Sequence, residues 1–329
     1  MRLLSVCSAR PNFVKLAAIH HALKGRADIQ HVIVHTGQHY DPVLSDVFFT
    51  QLEIPQPDEN LNIRGGERDE VLQKTTEACL PVFQKHNPDW VLVYGDVNGA
   101  LGAARAAKKL GIRIAHVEAG LRSGDLTMPE EHNRIEIDSI ANVLLCSEQS
   151  GVDHLQKENV KGRAELVGNT MIDTLVRMMP IIDHASPPEG LDLPERFGIV
   201  TLHRPNNVDS DVALRANFDF LAGLSAHIPL ILPMHHRTAA SLEKFGIDVA
   251  KGIIQTPPLA YVIFLRLLKQ SLFILTDSGG IQEEATYLKK RCFTVRKSTE
   301  RPSTVGSGSN VLIADLADPS DRKKVLDFA

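Results

Sequence analysis

The chain is poor in cysteine, in long apolar runs and in charge of one sign. Its 4 cysteines lie far apart without CxxC spacing, which favours buried, reduced thiols over a disulfide framework. No apolar run is long enough to span a bilayer, and the run at residues 1–7 is too short for a signal peptide. The formal net charge of -4, without a block of Lys or Arg, gives no field that would attract nucleic acid. We therefore expect a cytoplasmic protein that binds neither nucleic acid nor membrane.

Several motifs of cofactor and metal chemistry are missing as well. The chain contains no GxGxxG fingerprint and no P-loop, so neither dinucleotide binding nor ATP hydrolysis is predicted. It contains no HExxH pattern, and its histidines lack companion Cys or acids at ligand spacing. We expect a protein that needs neither a cofactor nor a metal.

Short apolar runs alternate with amphipathic segments from one end of the chain to the other. This alternation is typical of βα units, and 329 residues exceed the usual size of a single core. We predict an α/β fold with two Rossmann-like parallel-sheet domains that face a cleft. Ligands of such sheets bind beyond the carboxyl ends of the strands.

The domain boundaries are predicted from a stretch that breaks both periodicities. Residues 184–190 contain Ser, Gly and two Pro, as a linker does, so the domains are predicted at 1–183 and 191–329. The strands of the first domain are predicted near residues 2–7, 30–35, 90–94, 113–116, 142–146 and 164–167. Those of the second domain are predicted near residues 198–202, 229–233, 252–256, 272–276, 292–295 and 310–313.

Charged residues follow three segments of the first domain. Arg10 and Lys15 lie at the start of a predicted helix, whose free N–H groups favour an anion; a solvated Arg and a Lys lying along apolar surface explain them equally well. Asp96 and Glu118 follow two predicted strands, and two acids at neighbouring strand ends are difficult to explain as helix caps alone. Glu130 lies in the first turn of a predicted helix, where the helix dipole alone would account for an acid.

Histidines end two strands of the second domain. His203 follows the strand near 198–202, and His235 follows the strand near 229–233. A histidine in such a place can carry a proton or donate a hydrogen bond to a phosphate.

The most specific local pattern is LTDSGGIQEE. A predicted strand runs into Ser278, Gly279 and Gly280 and then into a helix. Glycine lets backbone N–H groups approach a diphosphate, whose charge the helix dipole favours. Glu284, one turn into the helix, can accept hydrogen bonds from ribose hydroxyls. A plain Gly-rich turn is the weaker explanation, because the segment STERP follows downstream.

Together these segments resemble the non-hydrolysing UDP-N-acetylglucosamine 2-epimerases. The matching blocks occur in the family's order between Met1 and about Val311: SARPNFVK, HTGQHYD, VYGDVN, HVEAGLRS, MPEEHNR, VGNTMID, TLHRPNNVD, LTDSGGIQEE and STERP. LTDSGGIQEE together with ERP is the most specific part. The resemblance implies a GT-B fold and a UDP-sugar as the substrate, and we expect a homodimer.

The resemblance also implies the residues of a site. Those implied at the UDP-sugar are Arg10, Lys15, Arg134, His235, Phe264, Ser278, Gly279, Gly280, Glu284 and Arg301. Those implied in catalysis are Asp96, Glu118, Glu130 and His203. Phe264 resembles the residue beside the uracil ring, and His203 also resembles a residue of the diphosphate site.

The chain departs from the family pattern in four places. Asn12 stands where the commoner GTRPEAIK opening has an acid, and Asn206 stands where the commoner HRRE has another. Residues 38–46 differ from the allosteric QHRxMLDQ segment of bacterial members, which argues against activation by a second substrate molecule. The chain ends at Ala329, tens of residues before family members usually end, and we expect it to lack the final helices that cross back to the first domain.

The chemistry at sugar carbon 2 narrows the mechanism. Its proton has no neighbouring carbonyl to acidify it, and a redox route would need NAD, for which the chain has no fingerprint. Elimination remains: UDP leaves carbon 1 while a base takes the carbon 2 proton, and UDP re-adds to the 2-acetamidoglucal as a proton arrives on the opposite face. The family uses this route. The basic residues would stabilise the departing diphosphate, and the three acids would transfer the protons.

Three other functions fit the same residues. A retaining glycosyltransferase of the same fold needs the same nucleotide site and an acceptor. A hydrolysing epimerase would release free N-acetylmannosamine and UDP, and a non-catalytic UDP-sugar sensor would bind without turnover. The products formed by the purified protein distinguish all of these.

Overall fold

The chain forms two compact units, Met1–Arg177 and Met178–Ala329. The computed structural model describes residues 1–37, 48–188 and 190–329. The division between the units lies within a helix that spans Thr170–His184. The domain boundaries inferred from the sequence, with a linker at 184–190, stay a prediction.

The first unit is built on a seven-stranded parallel sheet with the order β3-β2-β1-β4-β5-β6-β7. Its strands are β1 (Arg2–Cys7), β2 (Gln30–His35), β3 (Glu59–Asn60), β4 (Trp90–Tyr94), β5 (Arg113–Val117), β6 (Val143–Cys146) and β7 (Arg163–Leu166). Its helices include α1 (Arg10–Leu23), α2 (Arg68–His86), α3 (Asn98–Lys109), α4 (Pro129–Ile140) and α5 (Gln149–Lys157), and α6 (Thr170–His184) continues into the second unit.

The second unit has a six-stranded parallel sheet with the order β10-β9-β8-β11-β12-β13. Its strands are β8 (Gly198–Thr201), β9 (Leu230–Pro233), β10 (Ile253–Thr256), β11 (Phe273–Thr276), β12 (Arg291–Val295) and β13 (Asn310–Ile313). Its further helices are α7 (Pro205–Val208), α8 (Asp211–Ser225), α9 (His236–Phe245), α10 (Tyr261–Gln270), α11 (Gly279–Tyr287), α12 (Pro302–Gly306) and α13 (Pro319–Leu326).

The predicted strands are confirmed, each with bounds within one residue of the structure. The prediction succeeds because strands covered on both faces are continuous apolar runs. In β1, for example, Leu4 and Val6 are at most 1% exposed. The two-residue strand β3 was missed, because Glu59 and Asn60 carry no apolar pattern. Among the described residues no helix is long and apolar enough to cross a membrane.

Small residues allow helices α2 and α3 to pack closely. Every alanine of α3 is buried, and a Cβ atom added at Gly102 would lie only 2.6 Å from Thr75 Cβ of α2. Glycine is therefore required at position 102, although it lowers the helix propensity of α3.

We predict that Gly102→Ala destabilises the first unit by about 1 to 3 kcal/mol, because overpacking outweighs the gain in helix propensity. The matched control is Gly223→Ala on α8, where an added Cβ meets no atom within 4 Å, and it should stabilise the second unit by about 0.5 to 1 kcal/mol. Urea unfolding followed by circular dichroism tests both variants, and fluorescence of Trp90, the single tryptophan, reports on the first unit. A stabilised Gly102→Ala variant would contradict the close packing.

Candidate active site

Two strand ends of the first unit bring charged side chains together. Strands β4 and β5 lead into Gly95 and Glu118, and Asp96 follows Gly95. A Cβ atom added at Gly95 would lie 3.2 Å from Lys15 Nζ and 3.5 Å from Glu118 Oε1. The ammonium and the carboxylate thus lie against the turn that carries Asp96.

Lys15 and Glu118 form a buried ion pair. Lys15 Nζ is 2.7 Å from Glu118 Oε2, and both side chains are 6% exposed. Removing one partner of such a pair typically costs about 3 to 5 kcal/mol, because the other charge stays buried. The sequence placed the two residues in one site, but it gave no signal that Lys15 contacts an acid. Whether Lys15 also binds a ligand stays a prediction.

Asp96 is held by the helix that starts at Pro129. Arg134 Nη2 of α4 donates to Asp96 Oδ2, and the Arg134 side chain is buried while that of Asp96 is 23% exposed. Asn133 Nδ2 of the same helix donates to the Asp96 carbonyl oxygen at 2.8 Å. The carboxylate is therefore oriented and still reachable from solvent, as a proton-transfer group must be.

Two predicted site residues of this unit are exposed. Arg10 opens α1 and Glu130 lies in the first turn of α4. Within the described ranges neither side chain makes a hydrogen bond or an ion pair. The neighbouring Glu131 is different: it is buried and accepts hydrogen bonds from Ser123 N at 3.0 Å and Gly124 N at 3.1 Å. Glu131 therefore holds the preceding loop, whereas Glu130 is available to a ligand.

Asn12, one of the departures from the family pattern, has a structural role. Its Oδ1 accepts from Ser8 N at 3.0 Å and Ala9 N at 3.1 Å, and its Nδ2 donates to the Tyr94 carbonyl oxygen at 3.0 Å. An amide can accept and donate at once, which a carboxylate cannot. Asn12 thus ties the start of α1 to the end of β4. Asn206, the second position where an acid of the family pattern is replaced, is exposed on α7.

The Ser-Gly-Gly segment of the second unit starts helix α11 as predicted. Ser278 is the residue before the helix, and its side chain makes no capping hydrogen bond. A Cβ atom added at Gly279 would lie 2.7 Å from Glu300 Oε1, so a larger residue here would displace the Glu300 carboxylate. Together with Gly280, the segment offers backbone N–H groups and the positive end of the helix dipole to an anion.

Asp277 organises the turn beside this helix. It is fully buried, its Oδ2 accepts from His203 N at 2.9 Å and Arg204 N at 2.8 Å, and its Oδ1 is 3.0 Å from His203 Nδ1. Burial raises the pKa of Asp277, but the His203 hydrogen bond and charge outweigh it and lower the pKa overall. The carboxylate fixes the ring of His203 and leaves its Nε2 for other partners. The sequence analysis missed Asp277, although it lies inside LTDSGGIQEE.

His235 lies between two other histidines. Its ring centroid is 5.0 Å from that of His203 and 4.1 Å from that of His236. Burial, followed by the charges of His203 and His236, lowers the pKa of His235 to about 4. Its Nδ1 accepts from Arg237 N at 3.2 Å, so the neutral ring carries its proton on Nε2 and can donate it to a ligand.

Buried ion pairs surround the helix start. Arg301 Nε is 2.9 Å from Glu283 Oε2, and Arg296 Nη2 is 2.7 Å from Glu300 Oε2. Burial raises the pKa of Glu300, but Arg301 and Arg296 lower it well below its ordinary value. Arg301, predicted as a UDP ligand, is therefore anchored by an acid of α11.

Glu284 faces a tyrosine that the sequence analysis did not connect to it. Tyr261 Oη donates to Glu284 Oε1 at 2.7 Å, and Glu284 is 3% exposed. Burial raises the pKa of Glu284 to about 7; the Tyr261 hydrogen bond lowers it and the Glu283 charge raises it further. Phe264 lies three residues after Tyr261 on α10, hence on the same face, and is half-buried. A strongly shifted carboxyl of this kind is typical of a functional site.

Two further expectations concern the allosteric segment and metals. Residues 38–46, compared above with the bacterial allosteric segment, lie outside the described residues. In the part of the chain that the structure describes, no group of three or more His, Cys, Asp or Glu could hold a metal ion.

Known proteins match this chain over almost its full length. A family model described as UDP-N-acetylglucosamine 2-epimerase matches residues 21–323. The UDP-2,3-diacetamido-2,3-dideoxy-D-glucuronate 2-epimerase of Pseudomonas aeruginosa is 38% identical over 322 residues, which cover 97% of this chain and 90% of that protein. The UDP-N-acetylglucosamine 2-epimerase of Methanocaldococcus jannaschii is 36% identical, covering 96% of this chain and 89% of that protein.

A solved structure shows the same fold. The crystal structure of the Methanocaldococcus jannaschii UDP-GlcNAc 2-epimerase in complex with UDP-GlcNAc and UDP has a TM-score of 0.90 and 35% identity. The match covers 99% of this chain and 92% of that one. The predicted fold class, α/β with two Rossmann-like parallel sheets of the GT-B type, is confirmed.

We predict that Glu284→Gln stabilises the second unit at pH 8 but not at pH 5. In the folded protein the pKa of Glu284 is about 7, above the ordinary value of 4.5. The stability that the protonated carboxyl contributes is therefore complete below pH 4.5 and is lost as the pH rises through 7. The amide keeps an acceptor for Tyr261 and never ionises. Its advantage in the free energy of unfolding should reach about 3 kcal/mol at high pH.

Urea unfolding followed by circular dichroism at both pH values measures this difference. Glu195→Gln, an exposed acid of the same unit, is the control and should leave the pH dependence of wild type unaltered. A Glu284→Gln variant with the pH dependence of wild type would show that Glu284 does not ionise in this range.

Proposed function

The chain belongs to the UDP-N-acetylglucosamine 2-epimerase family, and we propose that it interconverts UDP-N-acetylglucosamine and UDP-N-acetylmannosamine without net hydrolysis. The arrangement at Gly95 carries this proposal, because the buried pair of Lys15 and Glu118 lies against the turn that carries the oriented carboxylate of Asp96. Inversion at a carbon without an acidifying carbonyl needs one group that removes a proton and another that returns it to the opposite face.

The reaction begins with elimination. The bond between carbon 1 and the diphosphate oxygen breaks, and its electron pair leaves with UDP. A carboxylate takes the carbon 2 proton, and the electrons of that C–H bond form the double bond of 2-acetamidoglucal. UDP then attacks carbon 1, and carbon 2 takes a proton on its other face. Asp96, Glu118 and Glu130 are the proposed proton carriers.

The second unit is proposed to bind the UDP part. The start of α11 at Ser278, Gly279 and Gly280 would hold the diphosphate through backbone N–H groups and the helix dipole. His235 would donate through Nε2, since its Nδ1 accepts from Arg237 N. His203 Nδ1 faces the Asp277 carboxylate at 3.0 Å, so His203 would donate through Nε2 as the imidazolium. Such donors stabilise the charge that develops on UDP as it leaves carbon 1.

Three more residues complete the proposed UDP site. Glu284 would accept from the ribose hydroxyls, and Phe264 would lie against the uracil ring. Arg301, held by Glu283 at 2.9 Å, would contribute its remaining N–H groups. In the first unit, Arg10 would meet the UDP-sugar as an exposed cation, and Arg134 would keep Asp96 in place.

A second candidate substrate is UDP-2,3-diacetamido-2,3-dideoxy-D-glucuronate. The Pseudomonas aeruginosa relative named for this sugar is 38% identical over 97% of the chain. Arg10 is an exposed cation without an ion pair in the described part of the chain, and a hexuronate would supply a carboxylate for it. The same elimination applies to both sugars, because the reacting carbons are the same. The ratio of kcat/KM for the two substrates, measured side by side, decides between them.

The protein is proposed to act in the cytoplasm. Its four cysteines, Cys7, Cys79, Cys146 and Cys292, are all buried and free, which suits a reducing compartment. The expected homodimer stays a prediction, which sedimentation of the purified protein would test.

We predict that product formed from UDP-N-acetylglucosamine in deuterium oxide carries deuterium at carbon 2. The base exchanges its proton with solvent while the glucal is present, so the returning atom comes from water. Proton NMR of the reaction mixture measures the label. Free N-acetylmannosamine with UDP would indicate a hydrolysing epimerase instead, and no conversion of either sugar would favour a transferase or a sensor. Unlabelled UDP-N-acetylmannosamine would contradict the elimination.

We further predict that Asp96→Asn, Glu118→Gln and Glu130→Gln each lower kcat by about 100- to 10,000-fold while UDP affinity changes little. An amide keeps the shape of the side chain but cannot carry the proton. Glu136→Gln, on the same helix as Glu130, is the control and should retain normal turnover. Because Glu118→Gln leaves Lys15 without its partner, its fold is checked through Trp90 fluorescence. Near-normal turnover in all three variants would exclude these acids from catalysis.

A further inference from the structure

His116 is a fully buried histidine at the end of β5, close to the proposed acids. Its Nδ1 is 2.7 Å from Asp138 Oδ1, and its Nε2 is 2.8 Å from the Gly95 carbonyl oxygen. The side chains of His116 and Asp138 are both 0% exposed. His116 therefore cannot touch a substrate, yet it contacts the turn that carries Asp96.

The number of protons on the ring follows from these two partners. A carbonyl oxygen only accepts hydrogen bonds, and so does an ionised carboxylate. Asp138 is ionised: burial raises its pKa, but the His116 and Arg122 charges and hydrogen bonds outweigh it and lower the pKa overall. An imidazole ring can donate from both nitrogens only as the imidazolium cation. A neutral ring would turn a lone pair towards one acceptor.

Asp138 extends the contact to the second turn. Its Oδ2 accepts from Gly120 N at 3.1 Å and is 2.8 Å from Arg122 Nη1. Arg122 Nη2 is in turn 2.7 Å from Glu158 Oε2. The buried cations of this cluster are thus matched by carboxylates, as burial of charge requires.

Both turns that the cluster contacts adopt unusual backbone conformations. Gly95 has φ +63° and Gly120 has φ +78°, and Glu118 has φ +70° although it is not glycine. A left-handed conformation is unfavourable for a residue with a Cβ atom such as Glu118, and it persists where surrounding contacts impose it. Hydrogen bonds from His116 to Gly95 and from Gly120 to Asp138 provide such contacts on the two sides of the proposed acids.

We propose that His116 is a positioning residue: as an imidazolium held by Asp138, it fixes the turns that carry Asp96 and Glu118. This inference rests on the proposed function for its kinetic consequence, but its structural part does not. His116 and Asp138 act together, because the loss of either charge removes a donor or an acceptor from the hydrogen bonds that join the two turns.

The charge state is tested without any turnover. In the full-length protein labelled with 15N-histidine, both ring nitrogens of His116 should carry protons at the pH of the turnover assays, and the signal is assigned by its loss in His116→Gln. Asp138→Asn should convert the ring to a form with a single protonated nitrogen. A single protonated nitrogen in the wild-type protein would overturn the proposal.

The positioning effect is tested by kinetics. We predict that His116→Gln and Asp138→Asn each lower kcat by about 100-fold, because a small displacement of a catalytic group has an effect of that order, while KM and UDP affinity change less than threefold. The double variant should lose no more than either single one. The control is His31→Gln, since His31 lies near the start of β2 and bonds Ser5 Oγ at 2.8 Å. Folded variants with a wild-type kcat, or additive losses, would overturn the proposal.

If the protein converts neither sugar, the proposed function is wrong. The positioning role of His116 can still be tested in that case by NMR. In that case the backbone amide signals of Asp96 and Glu118 should move in His116→Gln and stay in place in His31→Gln. Unchanged signals in a folded His116→Gln variant would overturn it. If His116→Gln does not fold, as judged by Trp90 fluorescence, the isosteric Asp138→Asn variant supplies the same comparison.

Discussion

The structure depends on the need to match every charge that is buried at the ends of its strands. Lys15 with Glu118, and His116 with Asp138, satisfy this need in the first unit. The second unit has two further buried pairs, Arg296 with Glu300 and Arg301 with Glu283, and its buried Asp277 faces the partly exposed His203. A buried charge without a partner costs several kcal/mol. The polar groups at the strand ends are therefore fixed as sets, and none can be replaced alone without affecting another.

Burial distinguishes two kinds of acid in the structure. Some are exposed enough to transfer a proton to a substrate, and others only fix the position of neighbouring groups. Asp277, Glu131 and Asp138 are buried, and their oxygens are engaged by backbone N–H groups or cations. Asp96 is partly exposed, and Glu130 is exposed on the first turn of its helix. Glu284 is an exception, because it is buried with Tyr261 as its one close donor among the described residues, and its pKa rises to about 7. A buried carboxyl group with so strongly raised a pKa is typical of a functional site.

The departures from the family pattern are explained to different degrees by the structure. Asn12 is explained, because it accepts and donates hydrogen bonds at the start of α1 in a way that an acid cannot. For Asn206 the structure gives no reason. Both changes alter the charge around the proposed site without removing any of its acids, Asp96, Glu118 and Glu130. The two candidate substrates share one proposed mechanism because their reacting carbons are the same.

The sequence by itself determined the strands, the parallel order of βα units and the glycine-rich start of α11. These follow from local signals, because a buried strand is an apolar run and glycine allows other groups to approach a helix start closely. It also placed Asp96, Glu118 and His203 at strand ends. Only the tertiary structure decided which side chains meet, such as Lys15 with Glu118, or Tyr261 with Glu284. Such pairs join residues that are separated in the chain, and the need for a partner arises only when folding removes water from both groups.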